Sequence, residues 1–302
     1  MHTGTFHSPA GTYRVSTTSG APPQVFSEGA AVRAAVRSAR EAGQTVGLVP
    51  TMGALHEGHL SLIDAARAEC DVTVASIFVN PTQFGPGEDF HRYPRDLARD
   101  VSLLGERGCE WVFAPSEEEM YRPGHATYVD VGLVGQVLEG EYRPTHFRGV
   151  ATVVLKLFQL VPAHRAYFGR KDYQQTLVVR QMVSDLNVPI EVRVCPIVRE
   201  PDGLAMSSRN AYLSAEERQR ATALYRSLRL AEQLAAEGQR DAATIRAAME
   251  EEIHRTGGVE LQYIALVADG TVQPVETITG PTTVAIAARI GTTRLIDNTL
   301  IG

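Results

Sequence analysis

The sequence predicts an α/β protein: a Rossmann-like, doubly wound parallel sheet joined to a second, smaller α+β domain. Three observations predict it. Short apolar runs alternate with amphipathic helical patterns between residues 46 and 195, the grammar of parallel strands covered on both faces. A turn carrying His56 and His59 stands where the first of these strands hands over to a helix, and that edge of an open α/β sheet is where phosphates bind. After Pro196 the grammar changes, with helices first and strands afterwards. The expected units are a flexible tail over 1–24, a Rossmann-like domain over 25–197 and a smaller domain over 198–302 that closes over the site.

Each element has a local justification. Residues 1–24 are rich in Ser, Thr, Gly and Pro and carry no apolar period, so they cannot bury enough surface to order themselves. Ser27 reads as the N-cap of a helix to about Ala42, with Val32, Ala35, Val36 and Ala39 on one face. The alternation that follows is strand 46–50, helix 58–69, strand 72–79, helix 94–107 and strand 111–114. A long amphipathic helix, 146–160, precedes a strand at 165–168; helix 172–186 and strand 190–195 come next. A loop over 199–213 ends at Ser214, whose spacing to Glu217 is that of a capping box. Helices 215–237 and 241–255 then lead to strands near 259–268, 282–289 and 293–298, with a turn at Asp269-Gly270. There is no internal repeat.

Composition narrows the function classes. With 302 residues the chain can bury a large core and divide into two domains. Its 29 basic and 35 acidic side chains give a net charge of −6 without a block of either sign, which argues against nucleic acid as a partner. No run reaches the roughly 18 apolar residues of a membrane helix, and the N-terminus lacks a secretory layout; the expectation is a cytoplasmic protein with no membrane partner. Cys70, Cys109 and Cys195 lack paired spacing and read as reduced, mostly buried thiols.

Four clusters carry chemistry. In the first, Val49 to Leu60, the two histidines have three readings: packing at a helix start, metal ligation, or donation to phosphate oxygens whose charge grows during reaction. Metal ligation needs a third ligand, and the metalloprotease spacing is H-E-x-x-H rather than H-E-G-H. Phosphate donation needs proton-bearing nitrogens near a helix N-terminus, which this spacing supplies, while Gly53 and Gly58 leave room for close approach of a ligand. The second cluster, Phe168 to Gln175, places Lys171 at a helix start, unfavourable unless an anion offsets it; Gln174 and Gln175 are expected to point along the cleft. The third, Leu204 to Asn210, joins small hydroxyls to Arg209 in a flexible anion clamp. In the fourth, Ser76 to Phe84, Asn80 and Gln83 place amides at the binding edge of the sheet. Taken singly, the last three are also ordinary solvated helix starts, loops and turns. The stretch from Phe84 to Tyr93, with Gly85 and Gly87, reads as a lid.

Together, P-T-M-G-A-L-H-E-G-H (50–59), F-V-N-P-T-Q-F (78–84), F-G-x-K-D-x-Q-Q (168–175) and M-S-S-R-N (206–210) resemble the pantoate–β-alanine ligase, or pantothenate synthetase, family over 46–298. The resemblance implies ATP-dependent condensation of pantoate with β-alanine through a pantoyl adenylate, releasing AMP and pyrophosphate, in vitamin B5 and coenzyme A biosynthesis. It assigns ATP to Pro50, Met52, Gly53, Ala54, Leu55, His56, Glu57, Gly58 and His59, to Gly169, Arg170, Lys171 and Asp172, and to Val198, Met206, Ser207, Ser208 and Arg209. Among these it makes His56, His59, Lys171 and Arg209 the catalytic groups, with His59 as proton donor. Gln83, Asn80 and Gln175 would hold substrate. Mg2+ would accompany ATP on ligands that the motifs do not identify, and a homodimer is the implied state. Arg170 departs from the family pattern, where Glu is expected; it would either add to phosphate binding or face solvent. Residues 138–148 also fit the family's L-E-G…R-P-x-H-F pattern, with no role assigned. A nucleotidylyltransferase that keeps AMP in its product, and a nucleotide sensor without turnover, are the competing readings.

Overall fold

The computed structural model describes residues 22–302, so most of the expected tail lies outside the described residues. Six strands pair in parallel in the order β1-β4-β3-β2-β5-β6: β1 (Gln24–Phe26), β2 (Val46–Thr51), β3 (Val72–Ile77), β4 (Trp111–Phe113), β5 (Arg165–Gly169) and β6 (Glu191–Cys195). Strand β2 is covered on both faces, as a central parallel strand must be. Its Leu48 packs into the cluster formed with α1 (Gly29–Glu41) and α6 (His146–Leu160), through Val36, Val150 and Leu157. The next residue, Val49, packs on the opposite face against Leu60 and Ile63 of α2 (Glu57–Glu69). The order runs outward from β2 through β3 to β4 on one side and through β5 to β6 on the other. The winding therefore reverses between β2 and β5, and a crevice opens beyond their carboxyl ends.

Three local expectations are revised. Gln24 does not end a tail but begins the short edge strand β1, paired with Trp111. Ser27 does not cap α1: the cap position is Glu28 without a side-chain bond, and the N–H of Gly29 donates instead to Glu119 at 3.0 Å. Helix α3 (Leu97–Glu106) starts later than expected because the Asp96 carboxylate caps it by accepting from the Arg99 N–H. The remaining helices of this half are α4 (Glu117–Met120), α5 (Glu139–Tyr142) and α7 (Tyr173–Asp185).

Beyond the 199–213 loop, Ser214 and Glu217 form the expected capping box at the start of α8 (Ala215–Ala236). With α9 (Ala242–Thr256) it covers one antiparallel sheet, β7 (Val259–Ala268), β8 (Thr282–Ile290) and β9 (Thr293–Ile301). Leu224, Leu228, Ile245 and Met249 meet Val284 and Ile286 in a separate core. Tyr173 and Leu177 pack against Val267 at the seam with the parallel sheet, and Arg294 of β9 grips the buried Glu139 of α5.

One close approach fixes the floor of the crevice. Helix α6 presses on the turn over 81–83, and a Cβ on Gly149 would lie 2.3 Å from the Thr82 carbonyl oxygen. Gly149→Ala should cost about 1–3 kcal/mol through overpacking, seen as a lower urea midpoint at unchanged slope. An unchanged midpoint would show that the turn yields freely.

Candidate active site

The turn between β2 and α2 is tied down from behind. Gly53 and Ala54 both have positive φ, +82° and +50°, so the chain doubles back within a few residues. The N–H groups of Ala54 and Leu55 donate to the carboxylate of Asp100 at 2.8 and 2.9 Å, and Asp100 is 1% exposed. These N–H groups are therefore not free for a phosphate. Nor is the space at the two glycines: a Cβ on Gly53 would meet Asp100, and one on Gly58 would meet the His56 ring, each at 2.9 Å. Leu55 is in the core and Glu57 turns outward to Arg107 at 2.6 Å. Of the ATP-assigned run, Pro50, Met52, His56, Gly58 and His59 line the crevice, whereas Gly53, Ala54, Leu55 and Glu57 do not.

The two imidazoles lie against each other with ring centroids 4.1 Å apart and planes tilted by 34°. His56 occupies the N-cap of α2, and its Nδ1 accepts the Gly58 N–H at 3.1 Å. The proton of neutral His56 is consequently on Nε2, as a donor. Burial, then the nearby charge of Lys171, pushes His56 down to about 4; burial, His56 and Lys171 hold His59 well below the usual histidine range. Both rings are thus neutral near pH 7. The Nδ1 of His59 is buried without a partner among the described residues. No group of three or more His, Cys, Asp or Glu side chains among the described residues is arranged around a metal position, so the histidine pair lacks a third ligand.

Across the crevice, β5 ends at Gly169 and a 3-10 turn over Arg170–Asp172 leads into α7. Lys171 reaches Asp172 at 3.3 Å, while Asn298 of β9 donates to the carbonyls of Arg170 and Lys171 at 2.9 and 3.0 Å. Arg170 itself neither lines the crevice nor stands free: it pairs with Asp269 at 2.8 Å and donates to Thr283 at 3.0 Å, both in the smaller unit. Gln174 is also engaged, donating to the carbonyls of Val134 and Val137 and accepting from the Glu139 N–H. Its neighbour Gln175 lines the crevice.

The remaining two clusters complete the walls. The Met206 N–H donates to the Val198 carbonyl at 3.0 Å, closing a hairpin whose end presents Ser207, Ser208 and Arg209. Arg209 forks onto Asp89, and Ser208 meets the Tyr93 hydroxyl at 3.0 Å. On the floor, the Asn80 amide is fully occupied: it donates to Gln83 and the Gly149 carbonyl and accepts from Thr82 and Tyr121. Asn80 acts on Gln83 and has no amide valence to spare for substrate. The Nε2 of Gln83 rests on the Met52 sulfur at 2.7 Å, a weak acceptor that a carboxylate or hydroxyl would displace.

These groups surround one cavity of about 670 Å³, within the range for small-molecule sites and large enough for a nucleotide with a small acid. Pro50, Met52, His56, Gly58, His59, Asn80, Gln83, Gly169, Lys171, Asp172, Gln175, Val198 and Met206 to Arg209 all border it. Its cations and neutral donors suit a polyanion, and its amides suit a hydroxy acid. Sequence reasoning assigned no role to Asp89, Arg143 or His146. Arg143 forks onto Glu88 and His146 meets the Gln83 carbonyl at 2.9 Å, its pKa pushed by burial down to about 3. The R-P-x-H-F pattern marked the last two; Asp89 lies in the stretch read as a lid, where nothing singled it out.

The profile of the pantoate-beta-alanine ligase family matches residues 24–300. The pantothenate synthetase of Thermotoga neapolitana is 57% identical over 263 residues, 87% of this chain and 94% of that one. The crystal structure of pantothenate synthetase from Thermus thermophilus superposes with a TM-score of 0.88 at 50% identity, covering 91% of this chain and 98% of that one. A pantoate-beta-alanine ligase from Francisella tularensis, complexed with beta-gamma ATP and beta-alanine, gives a TM-score of 0.75 at 35% identity, covering 92% and 97%.

The histidine environments predict a titration. In the ligand-free protein the ring 15N shifts of His56 should stay at neutral-imidazole values until it protonates near pH 4, and those of His59 should stay neutral well below the usual histidine range. Because folding depresses these pKa values below 6.5, their contribution to stability is complete above pH 6.5 and is lost as the pH falls toward 4. A midpoint near 6.5 for either ring would contradict the geometry.

Proposed function

The chain belongs to the pantoate–β-alanine ligase family, and from that premise we propose how its residues use ATP to condense pantoate with β-alanine, giving pantothenate in vitamin B5 and coenzyme A biosynthesis. The observation that carries the assignment is convergence on one cavity: His56, His59, Lys171 and Arg209 face the same space as Gln83 and Gln175. In the first step a pantoate carboxylate oxygen bonds to the α-phosphorus, the bond from that phosphorus to the bridging oxygen breaks, and pyrophosphate leaves. In the second, the β-alanine nitrogen bonds to the activated acyl carbon, the acyl–oxygen bond breaks, AMP leaves and the nitrogen gives up a proton. AMP is the better leaving group, which is how ATP drives amide formation.

Neutral histidines favour one role over another. An N–H donor aimed at a phosphate oxygen stabilises the charge that develops there without a proton changing hands. The depressed pKa of His59 supports this role over proton donation. Lys171, Ser207, Ser208 and Arg209 bind phosphates, with Lys171 as a compact point charge. Gln83 holds pantoate and helps to place β-alanine, Gln175 holds pantoate from the opposite wall, and Asn80 orients Gln83. ATP would enter as its Mg2+ complex, whose charge would be met largely by phosphate and water, so few protein oxygens would be needed to hold it. The unit over 198–302 covers the cavity and supplies the Val198 and Met206–Arg209 wall. The family resemblance supports a homodimer. The net charge of −6 favours small-molecule partners over nucleic acid, and three free thiols fit a cytoplasmic setting.

The deciding assay follows pyrophosphate and AMP with pantoate and β-alanine supplied singly and together. Pyrophosphate with pantoate alone, and AMP with pantothenate only when both are present, are the expected results; AMP retained in a product would indicate a nucleotidylyltransferase, and ATP binding without turnover a sensor. His59→Ala should slow adenylation about 10²-fold or more, so near-native turnover would remove its assigned role. Lys171→Ala should impair ATP binding and adenylation together. Gln83→Ala should act through pantoate and β-alanine with little change toward ATP.

A further inference from the structure

The segment over 84–93 borders the cavity, and its two adjacent carboxylates each hold a different arginine of the lining. Glu88 takes Arg143 by Nε at 2.7 Å and Nη2 at 2.6 Å. Asp89 takes Arg209 by Nε at 3.0 Å and Nη2 at 2.9 Å. The Tyr93 hydroxyl meets Ser208, and its ring lies 6.0 Å from the Arg209 guanidinium. The Asp89 side chain is only 11% exposed, that of Arg209 27%, so the pair is enclosed rather than a surface contact.

The choice of nitrogens matters. A guanidinium offers two forks, one along its side through Nε and Nη2 and one at its end through Nη1 and Nη2. Asp89 occupies the side and leaves Nη1 out of the pair. Arg209 stands in the 3-10 turn over Ser208–Tyr212, and its long side chain would otherwise keep wide rotamer freedom to be given up at the moment of binding. A carboxylate on its side settles that freedom in advance.

We infer that Asp89 is a positioning residue: it holds Arg209 by its side so that the end of the guanidinium is presented to the ATP phosphates. The inference rests on the assignment of Arg209 to those phosphates. The opposite arrangement would be a latch, in which Asp89 stands where a phosphate must go and has to be displaced. The two differ in sign. A positioning carboxylate helps ATP when present; a latch helps ATP when removed.

The test is a double-mutant cycle on the adenylation step, read as pyrophosphate release from Mg–ATP and pantoate by the full chain. Asp89→Asn, with Asp89→Ala as a second variant, should lower kcat/KM for ATP about 10-fold or more and leave KM for pantoate within 2-fold. In an Arg209→Ala background the same substitution should change kcat/KM for ATP by less than 2-fold, because its partner is gone. A lower KM for ATP in Asp89→Asn would overturn the inference in favour of the latch. Losses that multiply across the cycle would overturn it by showing that Asp89 works without Arg209. A near-native Asp89→Asn beside a crippled Arg209→Ala would sink Asp89 alone; a near-native Arg209→Ala would sink the phosphate assignment beneath it.

Discussion

Everything in the site depends on how briefly β2 and β5 run together. Their pairing covers Gly47 with Arg165 and Leu48 with Ala166; beyond that the strands part, although β2 continues to Thr51 and β5 to Gly169. Parallel strands that diverge leave main-chain ends facing each other over a gap, and the outward winding places no other strand in it. One strand delivers the histidine turn to one lip of the gap, the other delivers Lys171 to the opposite lip. Had the two stayed paired to their ends, these groups would flank a closed sheet edge with no space for a nucleotide between them.

Charge in the cavity is held in pairs. Of the arginines that line it, Arg143 and Arg209 each carry a carboxylate from the 84–93 segment, and Arg294 carries Glu139. Burial works against ionisation at Glu88, yet the Arg143 fork outweighs it and keeps the carboxyl below its usual range. The guanidinium groups are therefore oriented and partly neutralised before any ligand arrives. Among the described residues Lys171 pairs only with its half-exposed neighbour Asp172, and the two imidazoles stay uncharged beside it. A site that assembled bare cations at one point would repel itself; this one places one lightly paired ammonium beside the two neutral histidine donors for the reacting phosphates.

The fold was legible in the sequence where the signal was local. Apolar periods marked the longer strands and helices, and Ser214 with Glu217 announced its own helix. The histidine turn, the Phe168–Gln175 run and the Ser-Ser-Arg loop were visible as motifs, and the structure brings them to one cavity. What failed was partner assignment across distance. Ala54 and Leu55 were assigned to ATP, but their N–H groups are taken by Asp100 on α3, which gives no local sign of it. Arg170 looked like a phosphate ligand or a solvated side chain because Asp269 lies in the other unit. Asn80 and Gln174 carried the right chemistry for substrate, but backbone carbonyls and neighbouring side chains claim it. Strand β1 is a three-residue edge element, too short to show a period of two.

The last strand links the ATP-facing walls. In β9, Asp297 takes Arg199 at the base of the hairpin that presents Arg209, and the next residue, Asn298, holds the carbonyls of the turn that presents Lys171. Asp297 is 3% exposed and Asn298 1%. Burial raises the Asp297 pKa despite its arginine, so losing that arginine would strand a buried charge, typically worth about 3–5 kcal/mol. Two consecutive residues on one rigid strand therefore set the spacing between Lys171 and Arg209. Swinging the smaller unit away from the parallel sheet would have to carry the Arg209 hairpin off while breaking the Asn298 bonds to the Lys171 turn. The 84–93 segment is joined to the same walls by side chains instead, through the Glu88 and Asp89 forks and the hydroxyls of Tyr93 and Tyr212, so it can adjust around a ligand without disturbing the spacing that β9 sets.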